Sequence, residues 1–256
     1  MFTKVIPLSF SALLALVTFS TNATIYDVTI DGSDAIWLAG RTDLTIPPAS
    51  DPWPGGMIRH GGPTPEEILE TIPPEILVSG GDVVKVADPA VGGISFFNGF
   101  GAPYYGPEGN PGVSTLNAFG GISGYKGTEG ALAGVFLDNA IPNGTPPSTL
   151  DFTGAGLGTD FLTLFPEIGQ IFFIGDGITS TNVFQQFIAP AGATRLFLGI
   201  PDGFGFDGNP GAYDDNDGSY RIKVGINQTP LPEPNILALI GLGMLGFIFV
   251  RRKTSV

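Results

Sequence analysis
From Thr24 to Thr229 the chain never runs far before a glycine, proline, asparagine or aspartate interrupts it. Glycine in a helix interior costs about 1 kcal/mol and proline about 3, so dense punctuation of this kind works against long helices. What fits between the interruptions is short, and either apolar or alternating. Thr24–Ile30, Ala35–Leu38, Asp82–Ala87, Ile94–Asn98 and Leu132–Leu137 read as strands, as do Ile171–Ile174, Asn182–Phe187, Arg195–Ile200 and Ser219–Ile226. Many short strands separated by turn signals predict an all-β fold, an antiparallel β-sandwich or jelly roll. One segment, Pro65–Thr71, reads as a helix, with Thr64 at the cap, Pro65 in the first turn and Glu67 completing a capping box. Residues 47–63 read as a long surface loop.

Both ends follow a different logic. Residues 1–23 combine Lys4, an apolar stretch from Val5 to Phe19 and the small-residue ending Thr21-Asn22-Ala23. This is the pattern of a secretory signal peptide cut after Ala23 by signal peptidase. At the other end, Pro232-Glu233-Pro234 interrupts any element arriving from upstream. An apolar run, Ile236–Val250, and the cluster Arg251-Arg252-Lys253 follow. As a helix the run spans roughly 22 Å, short of the ~30 Å hydrocarbon core, and snorkelling arginines extend its reach from the cytoplasmic side. The glycines at 241, 243 and 246 spell a formal GxGxxG, but without the preceding strand a dinucleotide site needs. The expected organisation is a signal peptide (1–23), one β domain (24–229) and a C-terminal segment (230–256) whose helix at 236–250 reaches the membrane.

Composition removes several classes of function. A formal charge of −13 opposes nucleic-acid binding. The absence of cysteine removes disulfides, thiolate metal sites and a cysteine nucleophile. His60 is the one histidine and lies in the 47–63 loop; there is no G-x-S-x-G elbow and no P-loop. The expected activity is binding rather than catalysis. With 43% apolar residues and 20 phenylalanines, the domain has enough apolar area for a core.

The stretch GIPDGFGFDGNPGAYDDNDGSYRIKV, residues 199–224, sets aspartates among glycines before an alternating strand. Asp214, Asp215 and Asp217 repel one another unless a cation neutralises them. Calcium suits them, since it takes six to eight oxygens at about 2.3–2.6 Å from carboxylates, amides and carbonyls alike. The EF-hand spacing is missing. A solvated acidic hairpin is the alternative.

Two resemblances sharpen this reading. Pro232-Glu233-Pro234, the apolar run and the arginine cluster at Arg251 and Arg252 resemble the PEP-CTERM sorting signal, which exosortase recognises and cuts in bacteria that make extracellular polysaccharide. Within residues 75–226 the chain resembles the calcium-dependent galactophilic PA-I lectin family, a galactose-binding-like fold. The likeness is carried by Gly81-Asp-Val, Tyr105-Gly-Pro, Gly130-Ala-Leu, Ala189-Pro190, the strand ending at Asp202, and Pro210-Gly-Ala-Tyr-Asp-Asp-Asn-Asp-Gly-Ser219. It implies calcium ligation by the carbonyls of Tyr105 and Ala212 and the side chains of Asp202, Asp215 and Asn216. Sugar hydroxyls would complete the shell beside Tyr104. The segment between Asp202 and Ala212 is longer than in the family, which makes Asp207 a rival ligand, and the family's sugar-contacting His and Gln have no counterpart near Asn117. Phe96, Phe97, Phe100 and Tyr104 are sugar-stacking candidates or core.

The expected function is calcium-dependent recognition of an extracellular polysaccharide, acidic or galactose-containing, by an exported protein of the cell surface or matrix. The alternative is a structural matrix protein in which calcium only stabilises the fold.

Overall fold
Side-chain alternation decides which face of each strand enters the core. In the computed structural model, which describes residues 24–46, 70–97 and 103–227, the C-terminal strand shows this plainly. Tyr220, Ile222, Val224 and Ile226 are buried while Arg221 and Lys223 face outward. The strands are β1 (Thr24–Asp31), β2 (Glu75–Leu77), β3 (Val83–Ser95), β4 (Asn110–Leu116), β5 (Tyr125–Glu129) and β6 (Ala133–Leu137). They continue with β7 (Thr163–Leu164), β8 (Ile171–Phe173), β9 (Gln186–Ile188), β10 (Arg195–Gly199), β11 (Asp207–Gly208) and β12 (Asp217–Ile226).

Three sheets result, with orders β1-β12-β3-β9-β7, β2-β10-β6-β8 and β11-β4-β5. The first two meet through aromatic rings. Phe172 of β8 stacks on Phe136 of β6 at 5.1 Å and on Phe187 of β9 at 4.9 Å, so one ring joins both sheets. Every residue of β6 is buried, as expected for a strand covered on both faces. Trp37 helps to cover it, wholly buried with its indole N–H donating to the Ser123 carbonyl at 2.9 Å.

Gly130, between β5 and β6, has φ +61, and a Cβ there would lie 2.0 Å from Phe96 Cζ. Its carbonyl accepts the Tyr220 hydroxyl at 3.2 Å. Glycine here lets the chain turn beneath Phe96 and stay tied to β12.

The all-β expectation holds, with corrections. Ala35–Leu38 is not a strand: Ile36–Leu38 is a 3-10 turn, because Ile36, Trp37, Leu38 and Ala39 are all buried, and an alternating strand facing solvent would expose half of them. The expected strands at 82–87 and 94–98 merge into β3, which ends at Ser95. Only the end of Asn182–Phe187 enters a strand, β9; Asn182 is left-handed at φ 60, and Phe184 makes an isolated bridge to Ile178. Pairing is mostly antiparallel, but β7 joins β9 and β11 joins β4 in parallel. Strands β4 and β5 fall in a glycine-diluted region where the sequence shows no clean period. Thr71, the expected helix end, instead bridges Asp34.

Among the described residues no helix is long and apolar enough to cross a membrane. The signal peptide, the 47–63 loop, most of the 65–71 helix, Phe100 and the tail with its 236–250 run lie outside the described residues.

Candidate cation and ligand site
Strand β10 delivers the chain to Asp202, and the residues that follow fold back on it. Gly203 bridges Pro210, and the Gly211 amide donates to the Asp202 carbonyl at 3.1 Å. Ala212 then turns left-handed at φ 61, opening the 3-10 turn Tyr213–Asp215 that leads to Asn216 and β12. Tyr213, fully buried, fastens the loop: its hydroxyl donates to the Ile200 carbonyl at 2.6 Å and accepts the Asp202 amide at 3.3 Å.

Asp202 is 2% exposed. One carboxylate oxygen accepts the Gly203 amide at 2.7 Å, the other the Asn216 side-chain N–H at 2.8 Å. The same Asn216 nitrogen donates to the Gly32 carbonyl at 3.0 Å. Asn216 Oδ1 is buried and has no hydrogen-bond partner among the described residues. An orphaned amide oxygen beside a buried carboxylate lacks a positive partner.

Asp202 and Asp215 line a cavity of about 320 Å³ together with Ala212 and a third carboxylate, Glu129 at the end of β5. Phe96, Phe97, Phe204 and Phe206 supply its apolar wall, with Phe97 and Phe204 well exposed. The environment disfavours charge on all three carboxyls. Burial pushes Asp202 well above the ordinary carboxylate range, against hydrogen bonds from Asn216 and Gly203 and with the fields of Asp215 and Asp214. Burial, then Asp214, raises Asp215 to about 6. Burial raises Glu129 too, opposed by the Asn110 amide.

The five residues implied as metal ligands are brought together only in part. Asp202, Ala212 and Asp215 line the cavity, and Asn216 is bonded to Asp202. Tyr105 stands apart: its carbonyl accepts the Ile94 amide at 3.0 Å, and β3 lies between it and Gly218 of β12. Its ring stacks on Phe96 at 6.3 Å, supporting the wall from behind. Tyr104 is exposed and lies against Gly93 and Gly218, outside the cavity lining. Asp207 is exposed in β11, away from the lining. Among the described residues, no group of three or more His, Cys, Asp or Glu side chains is placed to hold a metal; two aspartates and the Asn216 amide are what this site offers. Glu129, Phe204 and Phe206 had no sequence signal as site residues, since Glu129 sits some seventy residues from Asp202 and only the fold joins them.

The tail gives the clearest relation to known proteins. Residues 230–253 match the PEP-CTERM protein-sorting motif. The PEP-CTERM match marks an exported protein with a C-terminal sorting signal processed by exosortase, and it contains Pro232, Glu233, Pro234, Arg251 and Arg252. It does not extend into the β domain. A comparison with curated proteins finds no match to the chain.

Proposed function
We propose that this PEP-CTERM protein presents a non-catalytic, lectin-like β-sandwich that binds an extracellular glycan at the Asp202 cavity with the help of calcium. The observation that carries the reading is the pairing of two kinds of lining in one cavity. The carboxylates of buried Asp202 and half-buried Asp215, with the Asn216 amide bonded to Asp202 behind them, suit a hard cation, while the exposed rings of Phe97 and Phe204 suit the face of a sugar. The donor set fits calcium chemically: two carboxylates, an orphaned amide oxygen and no nitrogen or sulfur ligand. Asp202, Asp215 and Asn216 would hold the ion, whose contribution is positive charge and open coordination positions for hydroxyls. Tyr105 has no part in this set, and the sugar-stacking role passes from Tyr104 to Phe97 and Phe204.

Location supports the same use. Thr24 and Ile226, the described residues nearest to the two processing signals along the chain, pair at one end of the β1–β12 ladder. Asn216 sits beyond the opposite end of β12, about 30 Å away for a ten-residue strand.

Retention of the mature protein on matrix polysaccharide is expected with calcium and lost in EDTA. Phe204→Ala and Asp215→Asn should each lose it while keeping the circular dichroism of the parent. Retention unchanged in both variants would overturn the assignment of the cavity. A structural reading also has an observation behind it, because Asn216 ties Asp202 to the Gly32 carbonyl. It predicts calcium-dependent stability with no retention on any glycan.

Processing has its own check. The intact mass of protein taken from its native envelope is expected to begin at Thr24 and to lack the residues beyond the Pro-Glu-Pro motif. A mass that includes Val256 would show that the sorting tail is retained.

A further inference from the structure
Asn227, the last described residue, is fastened at one end of the five-stranded sheet. Its amide donates to the Val83 carbonyl at 2.9 Å, its Oδ1 accepts the Val83 amide at 2.9 Å, and its Nδ2 donates to Asp82 at 2.7 Å. The strand register shows what else lies at this end. Thr24, Ile226, Val84, Phe187 and Leu164 pair in a single row across β1, β12, β3, β9 and β7. Just past that row β7 runs out into Phe165 and Pro166, β9 runs out into Ala189 and Pro190, and Gly80 and Gly81 turn the chain into β3.

Those three segments enclose an open groove of about 670 Å³. Its lining is Phe165, Pro166, Ile188, Pro190, glycines and alanines, with no charged or polar side chain. Phe165 stands at its rim, 73% exposed. Leu77, which shares a second cavity with Thr24 and Ile226, is 67% exposed at the same end, and Ile25 is 55% exposed. The chain carries 24 acidic residues against 11 lysines and arginines, so a surface this poor in charge stands out from the rest. Contiguous exposed apolar surface of this kind marks contact with a protein or a membrane.

Chain length selects the membrane. The apolar run within the sorting motif begins at Ile236, nine residues after Asn227, and nine residues reach at most about 32 Å when fully extended. While that run lies in the bilayer, the end of the sheet that holds Asn227 stays within this distance of the lipid. A tether this short raises the local concentration of lipid so far that weak apolar contacts suffice. We propose that this end of the β domain is a lipid-docking face, with Phe165 and Leu77 entering the interfacial layer of the membrane until exosortase removes the tail. This goes beyond the glycan reading and is independent of it; it rests on Ile236–Val250 lying in the membrane. Lipid without net charge is the matching surface. The groove offers no cation to an anionic headgroup, Glu167 is exposed beside Pro166, and the domain as a whole is acidic. Burial of apolar side chains supplies the attraction.

The chain contains no cysteine, so one introduced cysteine carries a label at a chosen point. The test uses the full chain reconstituted in phosphatidylcholine vesicles. A fluorophore is placed on Ala191→Cys, in the groove, or on Phe204→Cys, beside Asp215 at the opposite end of β12. Lipids spin-labelled near the headgroup are expected to quench the first label and spare the second. In Phe165→Ala the ratio of quenched to unquenched label at position 191 should fall at least about ten-fold, the lower end of what burying one phenylalanine contributes. The melting temperature of that variant should not change. Mixing phosphatidylglycerol into the vesicles should lower the ratio as well. Equal quenching at both positions would overturn the docking face, because a domain turning freely on its tether has none. Quenching that Phe165→Ala leaves intact, or that phosphatidylglycerol strengthens, would also overturn it. Energy transfer between labelled copies at position 191, without quenching by lipid, would give the groove to a second copy of the chain instead. Protein that does not stay with the vesicles would remove both the membrane reading of the tail and the docking face. None of these outcomes touches the Asp202 cavity, so failure here and failure of the glycan reading are told apart.

Discussion

In EDTA the melting temperature of the β domain is expected to fall as the pH rises from about 4 to about 7, and calcium is expected to reverse most of that fall. The direction follows from the buried acids. Asp34, Asp202, Asp215 and Glu129 all have folded-state pKa values raised by burial, Asp215 to about 6. Glu108, raised to about 7 by burial and its contact with Asp176, acts the same way. A carboxyl with a raised folded pKa binds its proton more tightly in the native state. Its favourable contribution is complete below the unfolded pKa and is lost as pH rises through the folded one. Asp43, Asp151 and Asp160 are shifted downward, so their contribution is already complete at the lower end of this range. Calcium needs ionised ligands, so its stabilisation grows as the protons leave. At about 100 times Kd it should add roughly 2.7 kcal/mol, and millimolar calcium is the range in which extracellular modules bind. Scanning calorimetry at several pH values, with calcium and with EDTA, reads both effects. Asp202→Asn should remove the calcium shift and flatten the pH dependence, whereas Asp207→Asn should change neither. A melting temperature indifferent to calcium at neutral pH would discredit the cation site.

Phe172→Ala is expected to cost about 3–5 kcal/mol. Phe172 is fully buried and its ring lies between Phe136 of its own sheet and Phe187 of the other, so truncation opens a cavity at the joint between the two sheets. A domain stable by about 5–15 kcal/mol loses a large share of that margin. The melting temperature should drop by roughly 10 °C, given about 2–4 °C per kcal/mol for a chain of this size. Phe165, 73% exposed, serves as the control, and Phe165→Ala should stay within about 0.5 kcal/mol of the parent. Equal effects of the two substitutions would mean that the sheets do not meet at Phe172.

What could be read without a structure was whatever depends on short-range order. Alternation of apolar and polar residues marked β1 and β12, because a strand with one face in the core repeats every two residues, while β10 was marked by a short apolar run. The same test failed for Ile36–Leu38, where an apolar run is buried on every side and so carries no period that separates strand from turn. It failed again for β4 and β5, where glycines supply no side chain to pattern. The processing tail was legible in full, since proline pair, apolar run and arginines are contiguous and act as a linear signal.

The site divides along the same line. The residues of one continuous stretch, Asp202 to Asn216, announced themselves by their density of carboxylates, and the fold does gather Asp202, Asp215 and Asn216. The sequence by itself determined that the chain is β-rich, acidic and carries a sorting tail, because each of these is a property of composition or of neighbours along the chain. Tertiary structure alone decided that Glu129 joins the aspartates and that Tyr105 is held on the far side of β3. It also decided that Asp202, rather than Asp207, is the buried carboxylate. Those outcomes depend on which strands pair and which loop folds over which sheet, and pairing between distant strands is set by the packing of the whole core, not by any local pattern.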